Sequence, residues 1–269
     1  MKRGLKMSRF LIIPKIDELD KSIALAEEYG FGFEFNDFFS PDVLDDKRRM
    51  DEIISRYKAH ELPDYCTSHG DFFDVLVFSD DRRIRETAEL RIRQSLEAAR
   101  MIGARGVVFH TNYSPQLTAN IYVMNWIERN EQFWRRILPE YSDLDIYMEN
   151  MFDFSPVLLS EIAMLLADMD NFGVCMDYAH AAVFGNDLDT WVNLLSPYVK
   201  HMHINDNDLE NDLHLAVGDG QIDWSLFKYH FEAKLSNAKS VLIETSFIDR
   251  QRRSAEFLAD LGIISKGWL

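Results

Sequence analysis

Residues 80–111 read DDRRIRETAELRIRQSLEAARMIGARGVVFHT, and this stretch decides the fold class. Across 80–102, Leu90, Leu96, Ala99 and their apolar neighbours recur at three- and four-residue intervals among many arginines and glutamates. That is the pattern of an amphipathic helix with one face on a core. Immediately afterwards GVVFHT at 106–111 is a short apolar run rich in β-branched residues, which reads as a strand.

The same alternation extends outward in both directions. Strand runs are expected at 9–15, 31–38, 64–69, 106–111, 145–150, 172–177, 199–205 and 240–245. Helical windows follow them at 17–29, 42–60, 80–102, 120–141, 155–169, 187–198, 223–235 and 251–261. Ser155 before Pro156, Asp187, and Asp223 before Trp224 supply capping residues. The pairs Asp45-Asp46 and Asp80-Asp81 place negative charge at helix starts, where the dipole favours it. Eight strands, each followed by a helix, within about 260 residues match a single (β/α)8 TIM barrel. An open doubly wound sheet would carry a glycine-rich turn after its first strand. Here that strand ends in Pro14-Lys15. One barrel domain over 1–269 is the expectation.

Composition bounds the function. With 47% apolar and 28% charged residues the chain has the make-up of a soluble globular enzyme. Its formal net charge of −16 is the reverse of the basic face that a nucleic-acid backbone requires, so nucleic acid is not an expected partner. Cys66 and Cys175 fall inside strand runs and read as buried reduced thiols. The opening MKRGLKMSRFLIIPK has an apolar run too short for a signal peptide, and no segment approaches a membrane span, so a cytoplasmic protein is expected. The helix window 120–141 carries Trp126 and Trp134 and is a candidate contact with a second copy of the chain, unless those indoles face the barrel.

In such a barrel, functional groups gather at the carboxyl ends of the strands. Those ends carry His69, His110, Glu149, Asp177, His180, His203 and Glu244, and the loop after the seventh strand adds Asp212 and His214. Glu149 and Glu244 each end an apolar run, where an ionised carboxylate is costly without a cation or donor. His201 shares the parity of His203 and should point inward one layer deeper, as a support. His60 and His230 lie in helical windows and read as surface or packing residues, and Asp206 and Asp208 are as readily solvated loop charges as parts of the site. The turn Gly218-Asp219-Gly220 is a weak phosphate signal and a better tight turn.

Six segments together carry a resemblance: SHGDF at 68–72, LEAARMIGARGVVFHTN at 96–112, YMEN at 147–150, MDYAHA at 176–181, HMHINDNDLENDLHLAVGDGQIDW at 201–224 and LIET at 242–245. In this order the chain resembles the xylose isomerase-like TIM-barrel superfamily of sugar isomerases, epimerases and apurinic endonucleases. For the sugar branch the resemblance implies one divalent metal (Mn, Mg, Co or Zn) on Glu149, Asp177, His203 and Glu244. It implies the two glutamates as the acid/base pair for proton transfer through a metal-stabilised enediolate, and His180, His69 and His110 as substrate-binding residues. A small carbohydrate, phosphorylated or not, is then the substrate. For the endonuclease branch it implies three zinc ions, the additional ones on His69, His110, His180, Asp212 and His214. A polyol or inositol-derivative dehydratase would look the same at these positions. HTN at 110–112 and ENMF at 149–152 depart from the endonuclease pattern, and the sugar branch is the preferred reading.

Overall fold

The computed structural model describes residues 9–73, 75–185 and 187–265; the basic stretch at 1–8 lies outside them. Eight strands, β1 Arg9–Ile12, β2 Gly32–Phe35, β3 Cys66–His69, β4 Gly106–His110, β5 Asp145–Glu149, β6 Phe172–Asp177, β7 Val199–Ile204 and β8 Ser240–Ile243, pair in parallel in chain order. β8 returns to β1 with Phe10 opposite Val241 and Ile12 opposite Ile243, closing the sheet. The fold is the (β/α)8 TIM barrel that the alternation announced. Several strands are shorter than their apolar runs. β1 stops at Ile12, and Pro14 beyond it has no N–H to give the ladder.

Helices form where the periodicity places them, with adjusted ends. Window 42–60 divides into Pro41–Leu44 and Lys47–Lys58, because Asp46 turns out of the first helix and caps the second at Arg49 N. Asp81, Asp187 and Asp223 cap the helices Arg82–Ile102, Leu188–Leu195 and Trp224–His230 in the same way. The last helix starts at Ile248, three residues earlier than expected. Among the described residues no helix is long and apolar enough to cross a membrane.

Side-chain parity divides the barrel wall. Phe10, Ile12, Phe33, Phe35, Val107, Phe109, Ile146, Met148, Val174, Met176, Val241 and Ile243 belong to one large core shared with the helices. The opposite parity points into the barrel: Leu11, Ile13 and Leu242 form one small apolar group, and Val108, Tyr147 and Cys175 another. These plug the barrel, so the next inward residues toward the strand ends, Glu149, Asp177 and His203, have a dry floor beneath them. Cys66 and Cys175 are free and buried, as expected.

Three open readings are decided. Trp126 and Trp134 are buried inside, so they offer no surface for a subunit contact. His230 is fully buried between the Tyr178 hydroxyl and Asp189 Oδ1, each 3.0 Å away, and is a packing residue, one of its two expected readings. Asp206 is no solvated loop charge. Its buried carboxylate accepts from the backbone N–H of Asn207, Gly218 and Ile222 and from Trp224 Nε1 at 2.7–3.1 Å.

Asp206 therefore fastens the long loop after β7. Its backbone also pairs with Leu215 in both directions, folding the segment that carries Asp212 and His214 back over the barrel mouth. A Cβ at Gly220 would sit 2.3 Å from both Asn207 O and Asp206 Oδ1, which explains the glycine without any ligand. Removing the carboxylate strands several buried donors, each worth about 1–3 kcal/mol. Asp206→Ala should accordingly lower stability by about 3 kcal/mol or more. Urea and thermal midpoints equal to those of the wild type would contradict this account of the loop.

Candidate metal centre

The strand register brings the expected residues together. His110 pairs with Glu149 across β4 and β5, and Asp177 with His203 across β6 and β7. Glu244, one residue past β8, is held by its N–H on Ile204 O at 2.8 Å. Glu149, Asp177, His203 and Glu244 thereby form a buried group whose ligand atoms all lie within 4.8 Å of one another. Three further groups adjoin it: His69 and His110 with Glu149, His180 with Asp212 and His214, and Cys175 and His201 with His203.

Distances show how tightly these are joined. His203 Nδ1 lies 3.0 Å from Glu149 Oε1 and 3.5 Å from Glu244 Oε2. His69 Nε2 and His110 Nε2 approach Glu149 Oε2 at 3.4 and 3.5 Å. Asp212 Oδ2 bridges His180 Nε2 at 3.3 Å and His214 Nε2 at 3.2 Å. His214 takes a left-handed backbone, φ 46°, and so stores local strain at the mouth.

Four histidines are oriented by one device. Nδ1 of His69, His110, His180 and His214 meets the backbone carbonyl of Gly70, Phe72, Asn150 and Glu244 respectively, at 2.9–3.1 Å. Each ring therefore carries its proton on Nδ1 and presents Nε2 to the site. His203 is turned the other way: Nδ1 faces the carboxylates and Nε2 lies 3.0 Å from Glu34 Oε1.

Glu34 is the residue that sequence reasoning missed. It sits on β2 in the run FGFEFNDF, with no exposure to solvent. The available signal was a carboxylate flanked by Phe33 and Phe35 whose side chains face the helices, which forces Glu34 into the barrel. Asn150 was also passed over. It joins β5 to β6 by accepting from Asp177 N and donating to Asp177 O, at 3.0 and 2.9 Å. Asp153 is buried under Thr111 and Met151 N, and burial pushes its carboxyl up to about 6.

The charges are balanced by the histidines. Burial pushes the Glu149 carboxyl up, but His203 and His110 beside it outweigh that and hold it well below the usual range. Glu244 is likewise raised by burial, yet His203 and His214 bring it to about 2. Asp177, with less compensation, is pushed by burial up to about 7. Burial lowers His110 to about 4. Against their burial, Cys175 with Glu149, Glu34 and Glu244 holds His203, and Asp177 with Asp212 and Glu149 holds His180, well above the ordinary value.

These donors fit a divalent cation. Three carboxylates with one imidazole suit Mn, Mg, Co or Zn. Both Glu149 oxygens, Asp177 Oδ2, His69 Nε2 and His203 Nδ1 are buried with no aligned hydrogen-bond partner among the described residues. Unsatisfied polar atoms at that density call for an ion.

Comparison with known proteins agrees with this architecture. A family model described as the xylose isomerase-like TIM barrel matches residues 23–262. An uncharacterised protein of Methanocaldococcus jannaschii is 30% identical over 182 residues, covering 64% of this chain and 60% of that one. The chain thus spans well under two thirds of that relative's length. A probable endonuclease 4 of Mycobacterium leprae is 28% identical over 182 residues, covering 63% and 68%. Among solved structures, a D-tagatose 3-epimerase-like protein superposes with a TM-score of 0.74 at 24% identity, covering 95% of this chain and 97% of the other. With the family model matching nearly the whole barrel, the chain belongs to the xylose isomerase-like TIM-barrel family.

Proposed function

We propose that the chain is a metal-dependent isomerase or epimerase of a small carbohydrate, with Glu149 and Glu244 as its acid/base pair. One observation carries this reading. Two glutamates from strands three apart in the barrel reach His203 Nδ1 from different sides, and His203 and its neighbours hold both ionised. Glu149, Asp177, His203 and Glu244 would hold the cation, which when bound polarises a substrate carbonyl and acidifies the adjoining C–H. One glutamate takes that proton and can return it to the neighbouring carbon, or the other glutamate, protonated from solvent, gives a proton to the opposite face. The same pair would serve loss of a hydroxyl in a dehydratase. His69, His110 and His180 present Nε2 toward the same space and are suited to bind substrate hydroxyls.

The mouth supports a small neutral ligand. The segments following the eight strands, at 13–15, 36–40, 70–81, 111–119, 150–156, 181–187, 205–223 and 244–247, hold one lysine, Lys15, and no arginine. Exposed phenylalanines stand on them instead: Phe39, Phe73, Phe152, Phe154 and Phe247. Arg250, at the start of the last helix, is engaged by the His214 carbonyl at 3.0 Å.

A second reading has its own support. All nine positions that would bind three zinc ions in the endonuclease branch are present, in three adjoining groups, and a probable endonuclease 4 is among the relatives. Phosphodiester cleavage is the function that this reading gives.

The two are separated by the substrate, and the glutamate variants test the acid/base assignment. Glu149→Gln and Glu244→Gln should each lower turnover by at least about 10²-fold while leaving circular dichroism unchanged. Near-wild-type rates in either variant would remove the acid/base assignment. Metal-loaded protein should exchange the carbon-bound proton of a ketose with deuterated water, read by proton NMR, and leave abasic-site DNA intact. Rapid nicking of that DNA reverses the order of the two readings.

Metal binding should also depend on pH. A cation must displace the His203 proton, which is held well above the ordinary value, so apparent affinity should rise with pH and protons should be released into buffer, measured calorimetrically in two buffers. The metal-free fold should show the reverse trend. Burial lowers His214, but Glu244 and Asp212 outweigh it and hold it at about 10 against an ordinary 6.5. Its contribution is complete below 6.5 and is lost as pH rises through about 10, so the metal-free Tm should fall over that window. A flat profile would contradict the pairing.

A further inference from the structure

Glu34 lies below the centre and touches none of the space a substrate would fill, yet its place is heavily specified. Thr67 Oγ1 donates to its Oε2 at 2.6 Å, and His201 Nε2 meets the same oxygen at 2.9 Å. His201 is itself fixed by Ser240 Oγ at 2.7 Å from Nδ1 and by stacking on Tyr147. Three strands thus spend buried polar side chains on orienting one carboxylate. Its other oxygen, Oε1, accepts nothing from these and lies 3.0 Å from His203 Nε2. Neither atom has another aligned hydrogen-bond partner among the described residues, so the contact needs only a small ring rotation to become one.

That arrangement supplies what the four other histidines get from the backbone. Each of them has Nδ1 on a carbonyl oxygen and Nε2 toward the site. His203 is reversed, and Glu34 stands where the carbonyl would be. We propose that Glu34 is the positioning residue for His203: its Oε1 takes the Nε2 proton and so leaves Nδ1 as the atom offered to a divalent cation. This rests on the metal reading above and adds to it the group that selects the ligating nitrogen. Sequence distance hid the pairing, since β2 and β7 lie at opposite ends of the chain.

Substitution by glutamine is a sharp test, because the pocket dictates how the amide must lie. Two donors, the Thr67 hydroxyl and His201 Nε2–H, demand the amide oxygen at the Oε2 position. The NH2 group is then left facing His203, where it donates to Nε2 and drives the ring proton to Nδ1. Glu34→Gln should therefore fold, with unchanged circular dichroism, and bind Mn2+ about 10–100-fold more weakly by calorimetry, the loss typical when the group behind a metal-bound imidazole is changed. In histidine-15N-labelled wild type loaded with Zn2+, long-range proton–nitrogen spectra should show His203 protonated on Nε2 and metal-bound through Nδ1.

The outcomes separate cleanly. Wild type that binds neither Mn2+ nor Zn2+ overturns the metal reading and this proposal with it. Equal Mn2+ affinity in wild type and a folded Glu34→Gln overturns only the role of Glu34. Should the variant fail to fold, the wild-type spectrum decides: a His203 that ligates through Nε2 and carries its proton on Nδ1 overturns the proposal.

Discussion

The interior of this barrel must accommodate four carboxylates, Glu34, Glu149, Asp177 and Glu244, none more than 6% exposed. An ion taken from water into such a place costs several kcal/mol after relaxation, and only paired charge and hydrogen bonds repay it. Protonated imidazoles do this in the metal-free protein. His203 lies between Glu34 and Glu149, while His180 and His214 share Asp212. A divalent cation would substitute for those protons. The polarity of the site, its histidine content and its dependence on pH all follow from keeping these acids buried.

The barrel can impose this burial because its wall has two parities with separate tasks. The outward parity joins the helices in one continuous apolar core, which supplies the hydrophobic driving force. The inward parity is then free to be polar near the strand ends, above the apolar plug of Leu11, Leu242, Val108 and Tyr147. Orientation also comes from the wall. Carbonyl groups beyond β3, β5 and β8 capture the Nδ1 protons of four histidines, so ring direction is set by backbone already fixed by the fold. β7 places His203 in the reverse sense, and a carboxylate from β2 takes the equivalent part.

The fold was legible because parallel strands and amphipathic helices write different periods, and eight repeats leave little ambiguity. Candidate-site residues such as Glu149 and Glu244 were legible because a charge ending an apolar run announces itself. Glu34 was not, for a physical reason. It sits in the middle of its strand between two phenylalanines, and a single inward carboxylate looks like the polar half of ordinary alternation until closure places His201 and His203 opposite it. Asp206 stays ambiguous in sequence for a related cause: a loop aspartate and a buried multi-acceptor have the same local sequence, and only the returning segments at Gly218, Ile222 and Trp224 tell them apart.

Ligand identity by itself does not choose between sugar chemistry and phosphodiester cleavage, because both branches of the family use overlapping positions on the same strands. What differs is the ground around them. Holding a nucleic-acid backbone requires cations spaced along the mouth, since phosphate neutralisation supplies most of the affinity. Here the strand-following loops carry one lysine and no arginine, and the chain as a whole bears −16. Phenylalanines occupy the rim, faces suited to the apolar side of a small ligand and indifferent to phosphate. A centre whose donors fit a cation, enclosed by loops with one lysine and no arginine, supports the proposed reading of a substrate whose charge is developed only in reaction.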